Sequence, residues 1–412
     1  MIPQILRSLL IACVVAVTVT APAWAQGTLK IAYIDPLSGG AASAGILGQK
    51  HFNYFVDKIN AAGGVNGQKL EVVAFDNKVN PQETLIILKK VFDEGIRYVA
   101  QGNGSLVAHA ITDAVLKYNE RNPGKEVLYL NYAAVDPALT NEKCNFWHFR
   151  FDADVDMKMT ALTNTIASDR NIRKVYLINQ DYSFGKAVAA AARAMLPKKR
   201  PDIEIVGDEL HPLQKVQDFS PYVAKIKASG ADTVITGNWS NDMVLLIKAG
   251  KDAGLKVGWQ TYYGGSPGTV TAVGEAGVDT LKQVSEWHKN ATPELDASVV
   301  AFDKRFPGKE NEYAYWRARN MWEMFAAAAK KAQSNDPVKM ARALEGMKLQ
   351  TSLGDVEMRA DNHQILQPLY VSTLSKGVKY DAEGTSLGWK TDAKVEGKAT
   401  ALPTTCQMER PK

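Results

Sequence analysis

Short apolar runs alternate with longer amphipathic stretches from residue 28 to residue 131. The short runs have the length and composition of buried strands, and the longer stretches repeat their apolar positions with the period of a helix. Strands are predicted at 28–34, 69–75, 98–100 and 127–131, and helices at 46–61, 81–94 and from 105 onward. This order predicts a parallel sheet with helices on both faces.

A second series of the same kind begins after residue 151. Helices are predicted at 154–168, 183–196, 217–228 and 241–253, and strands at 174–179, 203–208, 233–236 and 257–262. The chain therefore contains two α/β units of similar build, and 141–151 is the predicted first crossing between them. A cleft between two such units is a natural place for a small-molecule site.

Beyond residue 281 the pattern becomes mainly helical. Helices are predicted at 294–306, 312–332 and 337–345, with short strands at 354–358 and 369–374. Tyr315, Trp322, Phe325 and Ala329 fall near one face of their helix, which is typical of core residues. From Gly388 the chain is rich in lysine and threonine with little apolar periodicity, and we expect this tail to wrap the surface.

Residues 1–25 have the three parts of a secretory signal peptide. They are a charged start at Arg7, an apolar run over 9–19 and a small-x-small cleavage sequence at 23–25. The apolar run is too short to span a bilayer, so we expect a soluble mature protein in the periplasm. Lipidation at Cys13 is a second interpretation, which would leave an apolar tract at the mature terminus.

Length and charge narrow the class of protein further. A chain of 412 residues is longer than one core usually covers, so two domains are expected. The net charge of +5 is mild for this length. We find no clustered basic face and no basic tract interleaved with aromatic residues, which argues against a nucleic-acid partner.

The stretch 97–115 contains a corner between a strand and a helix. A short apolar strand is followed by a glycine-rich turn, Gln101–Gly104, and by a helix that opens at Ser105, a residue type favoured as an N-cap. The glycines allow a ligand to approach the backbone, and the free N–H groups of the first helical turn attract an anion. The corner is therefore a candidate carboxylate seat, although it is equally compatible with an ordinary tight turn.

Several other side chains are of types that could take part in covalent, metal or acid–base chemistry, and we expect each of them to have a structural role. Cys144 and Cys406 remain in an exported, oxidising setting, so a disulfide between them is our hypothesis. The six histidines include no pair at zinc-ligand spacing, and neither a metal nor a cofactor is expected. Asp35 and Asp76 end two strands. They are expected to cap helices or accept loop N–H groups rather than to act as acid and base.

Several motifs coincide in this chain beside the leader sequence. They are I-A-Y-I-D-P-L-S-G at 31–39, I-N-A-A-G-G-V-N-G at 59–67, D-P-A-L-T at 136–140 and D-Y-S-F-G at 181–185. Together they resemble the branched-chain-amino-acid (Leu/Ile/Val) type of periplasmic substrate-binding proteins of ABC transporters, the leucine-binding protein-like family. The resemblance spans nearly the whole mature chain.

The resemblance implies a type I periplasmic binding protein fold, with two Rossmann-like three-layer lobes joined by three crossovers. Lobe 1 would comprise 28–148 and 289–350, lobe 2 would comprise 149–288 and 351–390, and 391–412 would form a C-terminal tail. The implied function is capture of a small carboxylate between the lobes and delivery to a membrane permease, by a protein expected to be a monomer. No catalysis is expected. A ligand-sensing module of the same fold is the alternative.

The resemblance also implies a set of ligand-binding residues. The serine after the glycine-rich turn, which binds the ligand carboxylate in the family, matches Ser105. The other positions are Asn103 and Gly104 in the same turn, Ala133 and Ala134 in the next loop of lobe 1, and Tyr182, Phe184, Trp239 and Tyr263 as an aromatic wall in lobe 2. The loop that contains Ala133 lacks the family's hydroxyl, so only its backbone groups are expected to bind.

One departure from the family bears on the ligand. The acidic residue that pairs with an amino acid's ammonium would fall near Tyr263, yet no Asp or Glu occurs from 255 to 274. An ammonium would need another partner, for example Asp181 or Asp242. We therefore expect a carboxylate with an apolar or aromatic body, and branched-chain amino acids are the alternative. At the first crossover, Arg150 and Asp152 are expected to form an ion pair at the hinge, and contact with the ligand is the alternative.

Overall fold

The computed structural model describes residues 27–411, so the predicted signal peptide and the lipidation alternative at Cys13 lie outside the described residues. The first unit alternates strands and helices and ends with two strands in succession. Its elements are β1 Leu29–Asp35, α1 Ala42–Ala61, β2 Leu70–Asp76, α2 Pro81–Asp93, β3 Tyr98–Gln101, α3 Ser105–Arg121, β4 Leu128–Asn131 and β5 His148–Arg150.

The second unit repeats the alternation. Its elements are α4 Val155–Ser168, β6 Lys174–Gln180, α5 Ser183–Lys199, β7 Glu204–His211, α6 Ser220–Ala228, β8 Thr233–Thr236, α7 Asn241–Asp252, β9 Gly258–Thr261, α8 Thr269–Val273 and β10 Leu281–Ser285. Local signals define several boundaries. The Asp154 side chain caps α4 by accepting from the Met157 backbone N–H at 2.9 Å.

The last third of the chain returns to both units. It contains α9 Ala297–Arg305, α10 Trp316–Ala332, α11 Pro337–Leu344, β11 Lys348–Thr351, β12 Gly354–Met358, β13 Ile365–Leu366, β14 Leu369–Lys376, β15 Leu387–Val395 and α12 Gly397–Thr400. Helices α9, α10 and α11 pack on the first unit, whereas β14 and β15 join the sheet of the second.

Two main sheets define the two lobes. The first has the strand order β2-β1-β3-β4-β5, and all of its pairings are parallel. The second has the order β15-β14-β10-β9-β8-β6-β7, parallel from β10 to β7 and antiparallel at β14 and β15. A small antiparallel sheet of β11, β12 and β13 stands apart. The predicted two-lobed α/β fold is confirmed.

The apolar runs of the central strands explain why these sheets are buried. Strands β3 and β4 have every residue buried, as expected for parallel strands covered by helices on both faces. Trp322 and Phe325 of α10 lie in the core of the first lobe, as the helical pattern predicted. None of the helices between residues 27 and 411 combines the length and the apolar character needed to cross a bilayer.

The C-terminal segment differs from the prediction. The stretch after Gly388, expected to wrap the surface, begins as the nine-residue strand β15, which pairs with β14 along its whole length. The strand lies at the edge of its sheet, so exposed polar residues such as Lys390 and Asp392 are compatible with it. These residues hide the alternation on which the prediction depended. The strand β10 was also missed.

Beyond α12 the chain crosses to the surface of the first lobe. The predicted disulfide between Cys144 and Cys406 is confirmed and closes a sequence separation of 262 residues. Thr404 donates its hydroxyl to the Asn141 side-chain oxygen at 2.9 Å, and Arg410 pairs with Glu345 at 2.8 Å. The tail is therefore attached covalently and by polar contacts to the lobe opposite to its own last strand.

Candidate functional site

A cavity of about 150 Å³ lies between the two lobes. The loops that follow the carboxyl ends of β3 and β4 border it on one side, and those that follow β6, β8 and β9 border it on the other. This is where open α/β sheets bind ligands. Seven of the nine predicted ligand-binding residues line the cavity: Asn103, Gly104, Ala133, Tyr182, Phe184, Trp239 and Tyr263.

The glycine-rich turn is held from behind by Asp35, at the end of β1. Its carboxylate accepts the backbone N–H of Asn103 at 2.8 Å and, at 3.4 Å, that of Gly102. The Tyr132 hydroxyl donates to the other carboxylate oxygen at 2.6 Å. Burial raises the pKa of Asp35 to about 7, although these hydrogen bonds oppose the shift. Asp35 thus accepts loop N–H groups, as expected for this residue.

Glycine is required in this turn for two reasons. A Cβ at Gly102 would lie 2.8 Å from both the Ala133 Cβ and a ring carbon of Tyr132, so the turn and the neighbouring loop touch. Gly104 has φ of +99°, a backbone region that other residues rarely adopt. The turn therefore brings main-chain atoms to the cavity wall with no side chain between them.

Ser105 does not have the predicted position. Gly104 occupies the N-cap of α3, and Ser105 is the first residue of the helix. Its hydroxyl accepts the backbone N–H of Asp136 at 3.3 Å, and it is buried outside the cavity lining. The N-cap prediction was wrong because the left-handed glycine ends the turn one residue earlier. The N–H groups of Ser105 and Leu106, in the first helical turn, have no intrahelical acceptor.

The second loop of lobe 1 presents small side chains. Ala133 lines the cavity, whereas Ala134 is buried beside it and is not part of the lining. The Asn131 side chain accepts the Ala134 N–H at 2.7 Å and donates to the Ala134 carbonyl at 2.8 Å. The loop is therefore fixed by the end of β4, and its backbone N–H at Ala134 is already used.

Lobe 2 contributes the aromatic wall that was predicted. The Trp239 indole N–H donates to the Tyr182 hydroxyl at 2.8 Å. The Phe184 ring centroid lies 5.8 Å from that of Tyr182 and 6.1 Å from that of Tyr263. Because these four rings touch or bond one another, the wall is a connected apolar surface rather than a set of independent side chains.

A group of buried charges, the hinge charge cluster of Asp152, Lys158, Glu286 and Arg317, was missed. Lys158 pairs with Asp152 at 2.9 Å, and Arg317 pairs with Glu286 at 2.7 Å. Lys158, Glu286 and Arg317 line the cavity. The sequence signals were weak. Glu286 directly follows β10, a strand that was itself not predicted, and Arg317 lies in the first turn of the amphipathic helix α10.

The prediction of an ion pair between Arg150 and Asp152 was wrong. Arg150 pairs instead with Asp154 at 3.2 Å, while Asp152 is directed to Lys158. Of the two acids suggested for an ammonium, Asp181 pairs with Lys186, and Asp242 accepts from Gln180. Neither lines the cavity.

The two lobes also touch directly. The Ser43 hydroxyl of α1 lies 3.1 Å from the Ser240 hydroxyl, which donates to the Gly40 carbonyl at 3.2 Å. Ser240 has φ of +53°, an uncommon value for a residue with a side chain. These contacts join the loop before α7, in lobe 2, to the start of α1, in lobe 1. They lie at the edge of the cavity, which Ser240 lines.

Asp76 and the potential metal-binding side chains bear on chemistry other than ligand binding. Asp76 accepts the backbone N–H groups of Leu37 and Lys78, at 2.9 and 3.0 Å, so its carboxylate serves the local turn. In the part of the chain from 27 to 411, no group of three or more His, Cys, Asp or Glu residues is arranged to hold a metal ion.

Comparison with known proteins gives consistent results. The model of a family described as periplasmic binding protein matches residues 28–379. A Brucella melitensis protein named Leu/Ile/Val-binding protein homolog 4 is 37% identical over 93% of each chain. A leucine-, isoleucine-, valine-, threonine- and alanine-binding protein from Brucella ovis, solved in a closed conformation, is 36% identical. The match has a TM-score of 0.82 and covers 93% of this chain and 100% of that one.

A more distant structure shares the fold. It is a solute binding protein of an ABC transporter from Rhodopseudomonas palustris, solved in complex with 3,4-dihydroxybenzoic acid. It is 20% identical, with a TM-score of 0.75, and the match covers 90% of this chain and 98% of that one.

Proposed function

The chain belongs to the periplasmic binding protein family, and on that basis we propose that it is the solute-binding component of an ABC importer. It captures a small carboxylic acid between its lobes and presents it to a membrane permease. The relatives named above are binding proteins for aliphatic amino acids and, in the distant case, for a dihydroxybenzoic acid. These names favour transport over the sensing alternative.

The observation that carries the proposal is the make-up of the cavity between the lobes. One wall offers main-chain atoms of the glycine-rich turn at the N-cap of α3, and the opposite wall offers four aromatic side chains. The first suits a carboxylate, and the second suits an apolar or aromatic body. A cavity of this size, about 150 Å³, holds a body of about the size of benzene in other proteins.

Capture works through domain closure. The ligand touches residues of both lobes, so it stabilises the form in which the lobes are together, and the permease recognises that form. We propose that lobe 1 comprises 28–148 and 289–350 and that lobe 2 comprises 149–288 and 351–390. The three crossovers between them act as the hinge. The protein acts as an exported monomer in the periplasm.

A thermal-shift screen of the mature protein tests this function. A ligand that binds only the folded state raises the melting temperature, by an amount that grows with its concentration relative to Kd. We expect shifts from small carboxylic acids with apolar or aromatic bodies, and none from glucose or putrescine. The best acid is then titrated by calorimetry. Absence of any carboxylate ligand, or turnover of the bound acid, would contradict the proposal.

A further inference from the structure

Lys158 is an unusual residue for the wall of a binding cavity. Only 1% of its side chain is exposed to solvent, yet the residue lines the cavity. Its ammonium donates to Asp152 at 2.9 Å and lies 5.0 Å from the centroid of the Tyr263 ring. An ammonium has three donors, and between residues 27 and 411 this is its one hydrogen bond. Two donors are therefore free for a ligand.

Arg317 shows the same surplus of donors. It is 7% exposed and bonds Glu286 through one terminal nitrogen at 2.7 Å. Among the described residues its Nε–H has no hydrogen-bond acceptor. The Asp152 carboxylate oxygen, at 3.7 Å, is close enough for attraction but too far for a hydrogen bond. A buried donor without an acceptor is costly, and this one belongs to a side chain in the cavity wall.

Each acidic member of the cluster is paired with a basic one, so the four charges balance. Asp152 faces both cations, and its second oxygen also accepts from Gln367 at 3.5 Å. Glu286 is paired with Arg317. A ligand ammonium at this end of the cavity would be a third cation beside Lys158 and Arg317. An oxygen acceptor would instead complete their hydrogen bonding and be attracted by both charges.

We propose that Lys158 and Arg317 determine specificity by selecting a carboxylic acid that carries a second oxygen acceptor, such as a 2-oxo group, in place of an α-ammonium. The carboxylate lies at the glycine-rich turn, the apolar body lies on the aromatic wall, and the second oxygen faces the hinge charge cluster. This inference rests on the proposed function and makes it more specific.

Matched pairs of acids test the inference by calorimetry on the mature protein. The probes are valine against 3-methyl-2-oxobutanoate, leucine against 4-methyl-2-oxopentanoate, and phenylalanine against phenylpyruvate. Each pair differs in one functional group. We expect the oxo acid to bind at least about 10-fold more tightly, since a charge-assisted hydrogen bond changes affinity by about 10- to 100-fold. Equal or tighter binding of the amino acids would overturn the inference.

Variants of Lys158 then test whether this residue causes the preference for oxo acids over amino acids. Lys158→Met is expected to weaken binding of the oxo acid about 10-fold or more. The affinity for the amino acid should stay the same or increase. The matched control is Lys248→Met, which removes a lysine from an exposed Lys–Asp pair on α7. Because Lys158→Met leaves Asp152 buried without its partner, the double variant Asp152→Asn/Lys158→Met is made as well.

The outcomes separate the two proposals. A loss of affinity by the same factor for both members of a pair would overturn the role of Lys158 in selection, because it would report general damage to the cavity. If amino acids bind and their oxo partners do not, the inference fails while the transport function stands. If no acid of either kind binds, the proposed function fails first.

Discussion

The two walls of the cavity are built in opposite ways. The part of the lobe 1 wall formed by the loops after β3 and β4, called the lobe 1 wall below, consists of backbone and small residues, Gly102, Gly104 and Ala133. It is kept in place from behind by Asp35 and Tyr132. The lobe 2 wall consists of large rings that stand in the cavity themselves. One wall therefore acts through main-chain dipoles, and the other acts through side-chain area.

The two walls should therefore respond differently to substitution. On the lobe 2 wall a truncation removes contact area directly. On the lobe 1 wall there is little to remove, so that wall is disturbed by adding atoms or by changing the residues that support it. The five predictions below test this asymmetry.

Truncation of the aromatic wall is expected to have the largest effect. Trp239→Ala removes a side chain that is 7% exposed and leaves the Tyr182 hydroxyl without its donor. Buried aromatic anchors of binding sites typically contribute about 2–4 kcal/mol, so Kd should rise by roughly 30- to 1000-fold in calorimetry. Trp239→Phe is the control and should lose much less. Similar losses for both variants would show that area is not what this wall supplies.

An added methyl group on the opposite wall is expected to act almost as strongly. In Gly102→Ala the new Cβ would meet Ala133 and Tyr132 at 2.8 Å, so the turn has to move. Overpacking of this kind costs about 1–3 kcal/mol, and here it should appear as weaker ligand binding. The control is Gly258→Ala in β9, where a Cβ would meet atoms no closer than 3.7 Å. Unchanged affinity in Gly102→Ala would remove the turn from the site.

The support behind the turn should make binding depend on pH. The Asp35 pKa is raised by burial to about 7, so the carboxyl group becomes charged as the pH rises through 7. A negative charge behind the turn opposes a ligand carboxylate, and we expect Kd to rise between pH 6 and pH 8. Calorimetry at pH 6 and pH 8 on the native protein measures this effect. The Asp35→Asn variant should show no such rise in Kd.

The same shift has a consequence for folding. Because the folded pKa lies above the unfolded value of about 3.9, Asp35 contributes stability that is complete below pH 4 and is lost as the pH rises to about 7. Asp76 is the matched control, since it pairs in register with Asp35 and its pKa is lowered by hydrogen bonds from Ser38 and from loop N–H groups. Asp76→Asn should leave the loss of folding stability between about pH 5 and pH 7 unchanged.

The fold followed from features that act locally. The alternation of apolar runs and amphipathic stretches predicted the parallel strands, because burial on both faces leaves such runs few polar positions. It failed at β15, an edge strand whose exposed lysines and Asp392 look like a surface tail. The disulfide followed from a count of cysteines and their compartment, not from any knowledge of the three-dimensional distance.

The site was less predictable because its members come from distant parts of the chain. The rings at 182, 184, 239 and 263 follow strand ends, which sequence periodicity can locate. Lys158 is one lysine among many on amphipathic helices, and Arg317 begins a helix whose pattern indicates core. Only the meeting of α4, β10 and α10 at the crossovers makes these charges neighbours.

Ser105→Ala is expected to have the smallest effect and to sharpen the comparison most. If the serine hydroxyl bound the ligand carboxylate directly, its loss would weaken binding by about 1.5–3 kcal/mol, as for hydrogen bonds to charged groups. The hydroxyl instead accepts the Asp136 N–H at 3.3 Å and lies outside the cavity lining. The variant should therefore lose about 0.5–1.5 kcal/mol of folding free energy, as for a neutral hydrogen bond, with Kd changed less than threefold. Denaturant unfolding measures the folding free energy, and calorimetry measures Kd.

A large loss of affinity with unchanged stability would mean that the serine hydroxyl turns to the ligand. The lobe 1 wall would then act through a side chain after all.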